Sequence, residues 1–221
     1  MFTLVWQLLV TFLLIVLVVL VLQFLRPPKR RVDEKKVTVM RNKLYIVPLD
    51  EPSRFLVDYL MAKLTSKFDY KFQSGLVARL PEEAFSPTRG QFFCSVILNK
   101  LQLLKGNDAE IILAVTDEDL FLTTDSFVFG HADPLGRVAV ASSHRLHPEF
   151  YGLPQSNRIL KERLVKVAVH QLGHINGLSN CDNPDCVMFK ATSITEMDDR
   201  QDGFCPKCLM ELAIPSKVGK L

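Results

Sequence analysis

The sequence predicts an α/β (α+β) domain with a mixed sheet, preceded by one transmembrane helix. Three observations carry that prediction. Phe2–Leu25 is an apolar run interrupted only by the uncharged Thr3, Gln7, Thr11 and Gln23. Short β-branched runs then alternate with segments whose apolar residues recur at helical spacing. Near the C-terminus, two histidines four residues apart are followed by two pairs of cysteines.

The first segment is long enough to span a bilayer. At about 1.5 Å per residue, a helix of this length crosses the roughly 30 Å hydrocarbon core. A cleaved signal peptide would need a basic start, a shorter apolar core and a small-residue cleavage site. No Lys or Arg precedes this run and no A-x-A pattern ends it, so a retained single-pass anchor is expected. Arg26, Lys29, Arg30, Arg31, Lys35 and Lys36 crowd its C-terminal flank. By the positive-inside rule they leave the body of the protein in the cytoplasm, within reach of anionic lipid headgroups. The expected organisation is an anchor over 1–25, a basic, proline-broken linker over 26–36 and a folded domain over 37–221.

Within that domain, KLYIVPL (Lys43–Leu49) reads as a strand ended by Pro48 and the polar residues after it. Phe55–Phe68 has helical spacing, with Phe55, Leu56, Tyr59, Leu60 and Leu64 on one face and Ser53 as its cap. Gly75–Leu80 is a short strand candidate, and Gln91–Leu104 is a second amphipathic helix stopped by Gly106-Asn107. Glu110–Thr116 is almost wholly apolar and β-branched, as for a strand buried on both faces. Ser126–Gly130 and Arg137–Ser143 read as strands joined by a turn at Asp133-Pro134-Leu135-Gly136. Ile159–Ile175 is a long helix with a stop signal at Asn176-Gly177, and the remainder is loop-rich. Strands interleaved with helices in this order imply a layered domain with a mixed sheet.

Charge excludes one class of partner. The 221 residues carry a net charge of only +3, much of it in the linker, and no basic, aromatic-laced stripe. Nucleic acid is therefore not expected to bind. Of the five cysteines, Cys94 sits alone in the apolar stretch QFFCSVIL and reads as an inert buried thiol.

The chemistry lies in VHQLGHINGLSNCDNPDCVMFK and the CPKC that follows. His170 and His174 share one helix face and can hold one metal ion. The alternative is a pair of helix-face histidines that bind nothing. Cys181, Cys186, Cys205 and Cys208 have the paired spacing of a closed tetrahedral zinc site. Disulfides, or a redox role for Cys-Pro-Lys-Cys, compete with that reading, but no thioredoxin-like helix start accompanies the pair. A working H-E-x-x-H peptidase motif needs Glu at the position held by Gln171.

Set on the longer pattern H-E-x-x-H-x-x-G-x-x-H-C-x4-C-x-M followed by C-x-x-C, the chain resembles the archaemetzincins. His170, His174, Gly177, Cys181, Cys186, Met188, Cys205 and Cys208 match, and the upstream stretches VTDEDLF, FVFG, GRVAVAS and PEFYG are also similar. The resemblance spans roughly Lys43 to Leu212. It implies a compact metzincin-like fold, a catalytic zinc held by three histidines and a second, structural zinc held by the four cysteines. It also implies a turn containing Met188 beneath the catalytic site, and peptide-bond hydrolysis as the family activity. The chain departs at two positions, with Gln171 for the catalytic Glu and Asn180 for the third His. Gln171 cannot accept a proton, and the neutral amide of Asn180 is a poor zinc ligand. His131, in FVFGHAD where the family is expected to carry an acidic residue, is the one further histidine considered for a rearranged site.

The expectation is thus a membrane-anchored metallopeptidase homologue with a degenerate catalytic site, holding zinc at the cysteines and binding a peptide or protein in its groove. An active or weakly active zinc metallopeptidase is the alternative.

Overall fold

A computed structural model describes residues 43–50 and 54–213. The Phe2–Leu25 segment, its basic flank and Ser53 lie outside the described residues. No helix among the described residues is long and apolar enough to cross a membrane.

The main sheet is built from β1 (Lys43–Pro48), β2 (Lys71–Ser74), β5 (Ile111–Thr116), β7 (Gly130–Asp133) and β8 (Val138–Ser142), in the order β2-β1-β5-β8-β7. Strands β2, β1, β5 and β8 run parallel, while β7 lies antiparallel along the β8 edge. A second, small sheet holds β3 (Phe85–Ser86), β4 (Gln91–Phe93) and β6 (Leu120–Phe121), in the order β3-β4-β6. The mixed sheet is as the sequence predicts.

Alternation along the central strands creates two cores. Leu44 and Ile46 of β1, Ile111, Leu113 and Val115 of β5, and Ala139 and Ala141 of β8 face helices α1 (Arg54–Lys67) and α3 (Asn157–Ile175). Val47, Ile112, Ala114, Val138 and Val140 face the other way, against Ile97, Leu98 and Leu101 of helix α2 (Cys94–Leu103). Every residue of β5 is buried, which explains why that strand reads as a near-continuous apolar run.

Three expected elements move. Gly75–Leu80 makes only one isolated bridge, Leu49 to Ala78, and Leu76 is 92% exposed. The edge strand is instead the polar KFQS of β2, whose mostly exposed side chains leave no apolar alternation to detect. Gln91–Phe93, the first residues of the expected Gln91–Leu104 helix, pair as β4, and the helix starts at Cys94. The strand expected over Ser126–Gly130 begins at its last residue and runs to Asp133, because Gly130 pairs with Ala141 and Asp133 with Val138. The Asp133–Gly136 turn does join β7 to β8, with the Asp133 carboxylate accepting from the Leu135 N–H.

Helix α3 starts two residues before the expected Ile159, because the Ser156 hydroxyl caps it by accepting from the Ile159 N–H. It ends at Ile175 with Asn176 as its C-cap, and Gly177 follows with φ of 88°, a left-handed conformation that glycine adopts without strain. The region read as loop-rich also contains two short helices, α4 (Ile194–Asp199) and α5 (Pro206–Ala213). A Ser193/Glu196 capping box starts α4.

Candidate functional site

His170 and His174 stand one turn apart near the end of α3, and each ring is fixed by a backbone carbonyl. His170 donates its Nδ1–H to Val187 O at 2.8 Å, and His174 does the same to Leu178 O at 2.8 Å. Both Nε2 atoms then carry lone pairs, and they face each other 3.0 Å apart. Two lone pairs in contact repel unless a proton or a cation lies between them. Tetrahedral zinc with bonds of about 2.0–2.1 Å separates two such nitrogens by about 3.3 Å, close to the spacing found. Carbonyls that fix the ring tautomer from behind are the usual support of metal-binding histidines.

Both rings are held neutral, the form that binds metal. Burial pushes His170 down to about 3, aided by the charges of His174 and Arg200 and opposed by the hydrogen bond to Val187. Burial lowers His174 as well, against its bond to Leu178. In metal-free protein the consequence has a definite sign. The folded-state value of His170 lies below its ordinary 6.5, so between 6.5 and about 3 the unfolded chain binds a proton that the folded chain does not. Stability from this ring is therefore full above that window and declines as the pH falls through it. Urea midpoints measured across the window should fall more steeply for the wild type than for His170→Leu; parallel slopes would refute the claim.

The histidines line a cleft of about 470 Å³ together with Gln171, Asn180, His131 of β7, Lys190 and Arg200. Gln171, next to His170, is buried, and its Nε2 stands beside Gly130, where a Cβ would lie 3.2 Å from it. Asn180 is exposed at the same cleft. The structure therefore brings together all the residues expected of the histidine site. His131 shares the cleft, and burial lowers its ring with the His174 charge adding to the effect. It does not complete a ligand set with the pair. Among the described residues, the only group of three or more His, Cys, Asp or Glu whose ligand atoms gather within 4.8 Å is the cysteine set.

Met188, fully buried, packs against Gly173 of α3. Its Sδ would collide with a Cβ at Gly173, so only glycine lets α3 pack against this turn.

Cys181, Cys186, Cys205 and Cys208 converge from the loop after α3 and the start of α5, with all four sulfurs within 4.8 Å of one another. Two of the separations, Cys181–Cys205 and Cys186–Cys208, are 3.8 Å. That is far from a disulfide bond of about 2.05 Å. It equals the edge, about 3.8 Å, of a tetrahedron with zinc–sulfur bonds of about 2.3 Å. The Cys186 sulfur accepts from the backbone N–H of Met188 and of Cys205, which favours a thiolate. Burial raises the Cys186 and Cys208 thiols. At Cys205 the burial is outweighed by hydrogen bonds from the Cys208 backbone and the neighbouring thiols, and its value falls to about 7. One thiolate forms readily and makes the next costly, a conflict that a divalent cation removes. The donor set fits zinc.

One residue of the site was not legible in the sequence. Arg200, only 3% exposed, donates through Nη1 to Val187 O at 3.0 Å and to Phe189 O. Burial pulls its guanidinium down to about 10, and the charge of Cys186 works the other way. An arginine in a charged stretch such as EMDDRQD reads as a surface residue, and nothing in the local pattern marks it as buried.

The model of Peptidase family M54 matches residues 36–214. The chain belongs to peptidase family M54. It is similar to the archaemetzincin of Pyrococcus furiosus, at 37% identity over 180 residues, covering 78% of this chain and 93% of the relative. Among solved structures it is similar to the archaemetzincin of Methanopyrus kandleri, with a TM-score of 0.69 and 34% identity, covering 78% of this chain and 93% of that one. A zinc-dependent peptidase from Methanocorpusculum labreanum matches with a TM-score of 0.66 and 31% identity, covering 76% of this chain and 99% of that one. The M54 family to which the chain belongs consists of zinc metallopeptidases, so zinc is the cofactor the cysteine set is built for.

Proposed function

We propose that this M54-family chain is a membrane-anchored zinc protein whose cleft binds an extended peptide or protein segment instead of hydrolysing it. One observation carries the reading. The only carboxylate among the described residues lining the cleft is Asp125, and Lys190 engages it at 3.2 Å. With Gln171 at the base position, no free carboxylate remains to take a proton from an attacking water. The four cysteines hold the structural zinc, which supplies folding free energy to the C-terminal region. Strand β7 lies at the sheet edge, and its residues Gly130, His131 and Ala132 line the cleft. An edge strand in a groove accepts an extended segment by backbone pairing, without help from a metal. The Phe2–Leu25 run would hold this groove at the cytoplasmic face of a membrane.

A second reading, a weakly active zinc metallopeptidase, is favoured by the opposed Nε2 atoms of His170 and His174. Peptide cleavage by the purified full chain, compared with His174→Ala in the presence and absence of a chelator, separates the two. Binding without turnover predicts no chelator-sensitive cleavage in either protein. Cleavage by the wild type that is lost in the variant would replace the first reading with the second. The orientation has its own test in protease protection of sealed vesicles, where digestion of the folded domain from the outside would reverse it.

A further inference from the structure

We propose that Arg200 couples the cysteine centre to the histidine pair, acting as the buried counter-charge of the metal thiolates and as the clamp on the turn that orients His170. The inference rests on zinc occupying the cysteine centre. It concerns a residue outside both ligand sets.

The argument begins with an unbalanced charge. Arg200 is 3% exposed, and among the described residues no carboxylate stands within ion-pair distance of it. Its Nε is buried without a hydrogen-bond partner, and its Nη2 reaches only the weakly accepting Met197 sulfur at 3.2 Å. A guanidinium buried this way is costly unless an opposite charge lies nearby. Arg163 shows the ordinary solution in the same domain: it is equally buried, but it makes a two-pronged pair with Asp198. Arg200 Nη1 instead lies 3.0 Å from the carbonyl of Val187, the residue next to the Cys186 ligand. Four thiolates around one divalent ion carry a net charge of two minus, and the guanidinium is the cation placed to offset it.

The second half of the argument is connectivity. Residues Cys186–Phe189 form one short turn between the two sites. Cys186 contributes a sulfur to the cysteine centre, and the Val187 carbonyl holds the His170 Nδ1–H at 2.8 Å. Arg200 Nη1 donates to the Val187 and Phe189 carbonyls, on either side of Met188. Its Nη1 also lies 3.4 Å from His170 Nδ1; since a guanidinium only donates, it is the Val187 carbonyl, shared by both groups, that holds the Nδ1–H tautomer. The guanidinium therefore needs the filled cysteine centre for its charge, and His170 needs the guanidinium for its orientation.

The test uses the full chain in detergent, with cobalt(II) as the probe of the cysteine centre and ¹⁵N-labelled histidine as the probe of the rings. Sulfur-to-cobalt charge-transfer absorption reports filling of the thiolate site. Arg200→Met should weaken cobalt binding there by about 10–100-fold, the usual cost of removing a supporting group behind a metal ligand. At saturating metal, its His170 should lose the single Nδ1–H tautomer. Arg200→Lys keeps the charge but not the two-carbonyl clamp, so it should recover most of the metal affinity while His170 stays mixed. Equal cobalt affinity in wild type and Arg200→Met would overturn the proposal, as would an unchanged His170 tautomer in both variants. If Arg200→Met fails to fold, the split behaviour of Arg200→Lys decides alone, since a lysine variant matching the wild type in both signals overturns the clamp. A wild-type chain that shows no thiolate–cobalt absorption fails one step earlier, removing the zinc reading of the cysteines and this coupling with it.

Discussion

Cys205→Ser is expected to cost the domain its metal and much of its stability. The sulfur is one of four within 4.8 Å of one another, and its backbone N–H also donates to Cys186. Three thiols cannot close a tetrahedral site, and a hydroxyl is a far weaker zinc ligand than a thiolate. Structural zinc supplies about 10–16 kcal/mol of binding free energy in small zinc domains. Loss of even a quarter of that, at about 2–4 °C per kcal/mol for a chain of this size, lowers the Tm by roughly 5–15 °C. The effect should reach beyond the loop, because Cys181, Cys186 and Cys208 are packed in the same core as α1 and α3. Thermal unfolding with zinc quantified on the same samples measures both quantities. A Tm equal to that of the wild type would mean that no metal stabilises this region.

Restoring the family's residues should turn the cleft into a catalyst. In the double variant Gln171→Glu, Asn180→His, the new carboxylate occupies a buried position beside Gly130, and the new imidazole lies in the cleft already lined by His170 and His174. Glu is nearly the size of Gln, so the exchange needs no repacking, and Asn180 is exposed enough to accept a larger ring. General acid–base help is worth about 10²–10⁴-fold, and that is the gain expected in chelator-sensitive peptide cleavage over the wild type. Zinc per chain should rise from one toward two. A double variant that binds no more zinc than the wild type would mean that the loop after Gly177 no longer aims position 180 at the histidine pair.

Some of this was open to a reader of the sequence. The four cysteines declared themselves by spacing, because a tetrahedral site closed by two short hairpin-like pairs leaves few other arrangements. The histidine pair followed from helical periodicity, and the buried strand Ile111–Thr116 from an unbroken apolar run. The cap and stop of the site-bearing helix are local chemistry, and the stop at Asn176-Gly177 stands where it was expected. The polar edge strand Lys71–Ser74 was hidden for a physical reason. Its pairing with β1 is made by backbone groups, and side chains facing solvent carry no record of it. Gln91–Phe93 misled in the opposite direction, since apolar residues buried by a small second sheet mimic the start of the helix that follows.

By itself the sequence determined the family, the ligand types and the two departures from the family pattern at Gln171 and Asn180, since these are matters of residue identity at short, regular spacing. Tertiary structure alone decided how those groups face one another. It set the two imidazole nitrogens 3.0 Å apart, with the carbonyl of Val187, on a separate turn, fixing the His170 tautomer and that of Leu178 fixing His174. It buried Arg200 against the Val187 and Phe189 carbonyls beside His170, and left Asp125 tied to Lys190 as the only carboxylate among the described residues lining the cleft. Identity and spacing are local properties of a chain. Charge balance and ring orientation depend on residues brought together by packing, and no local pattern encodes them.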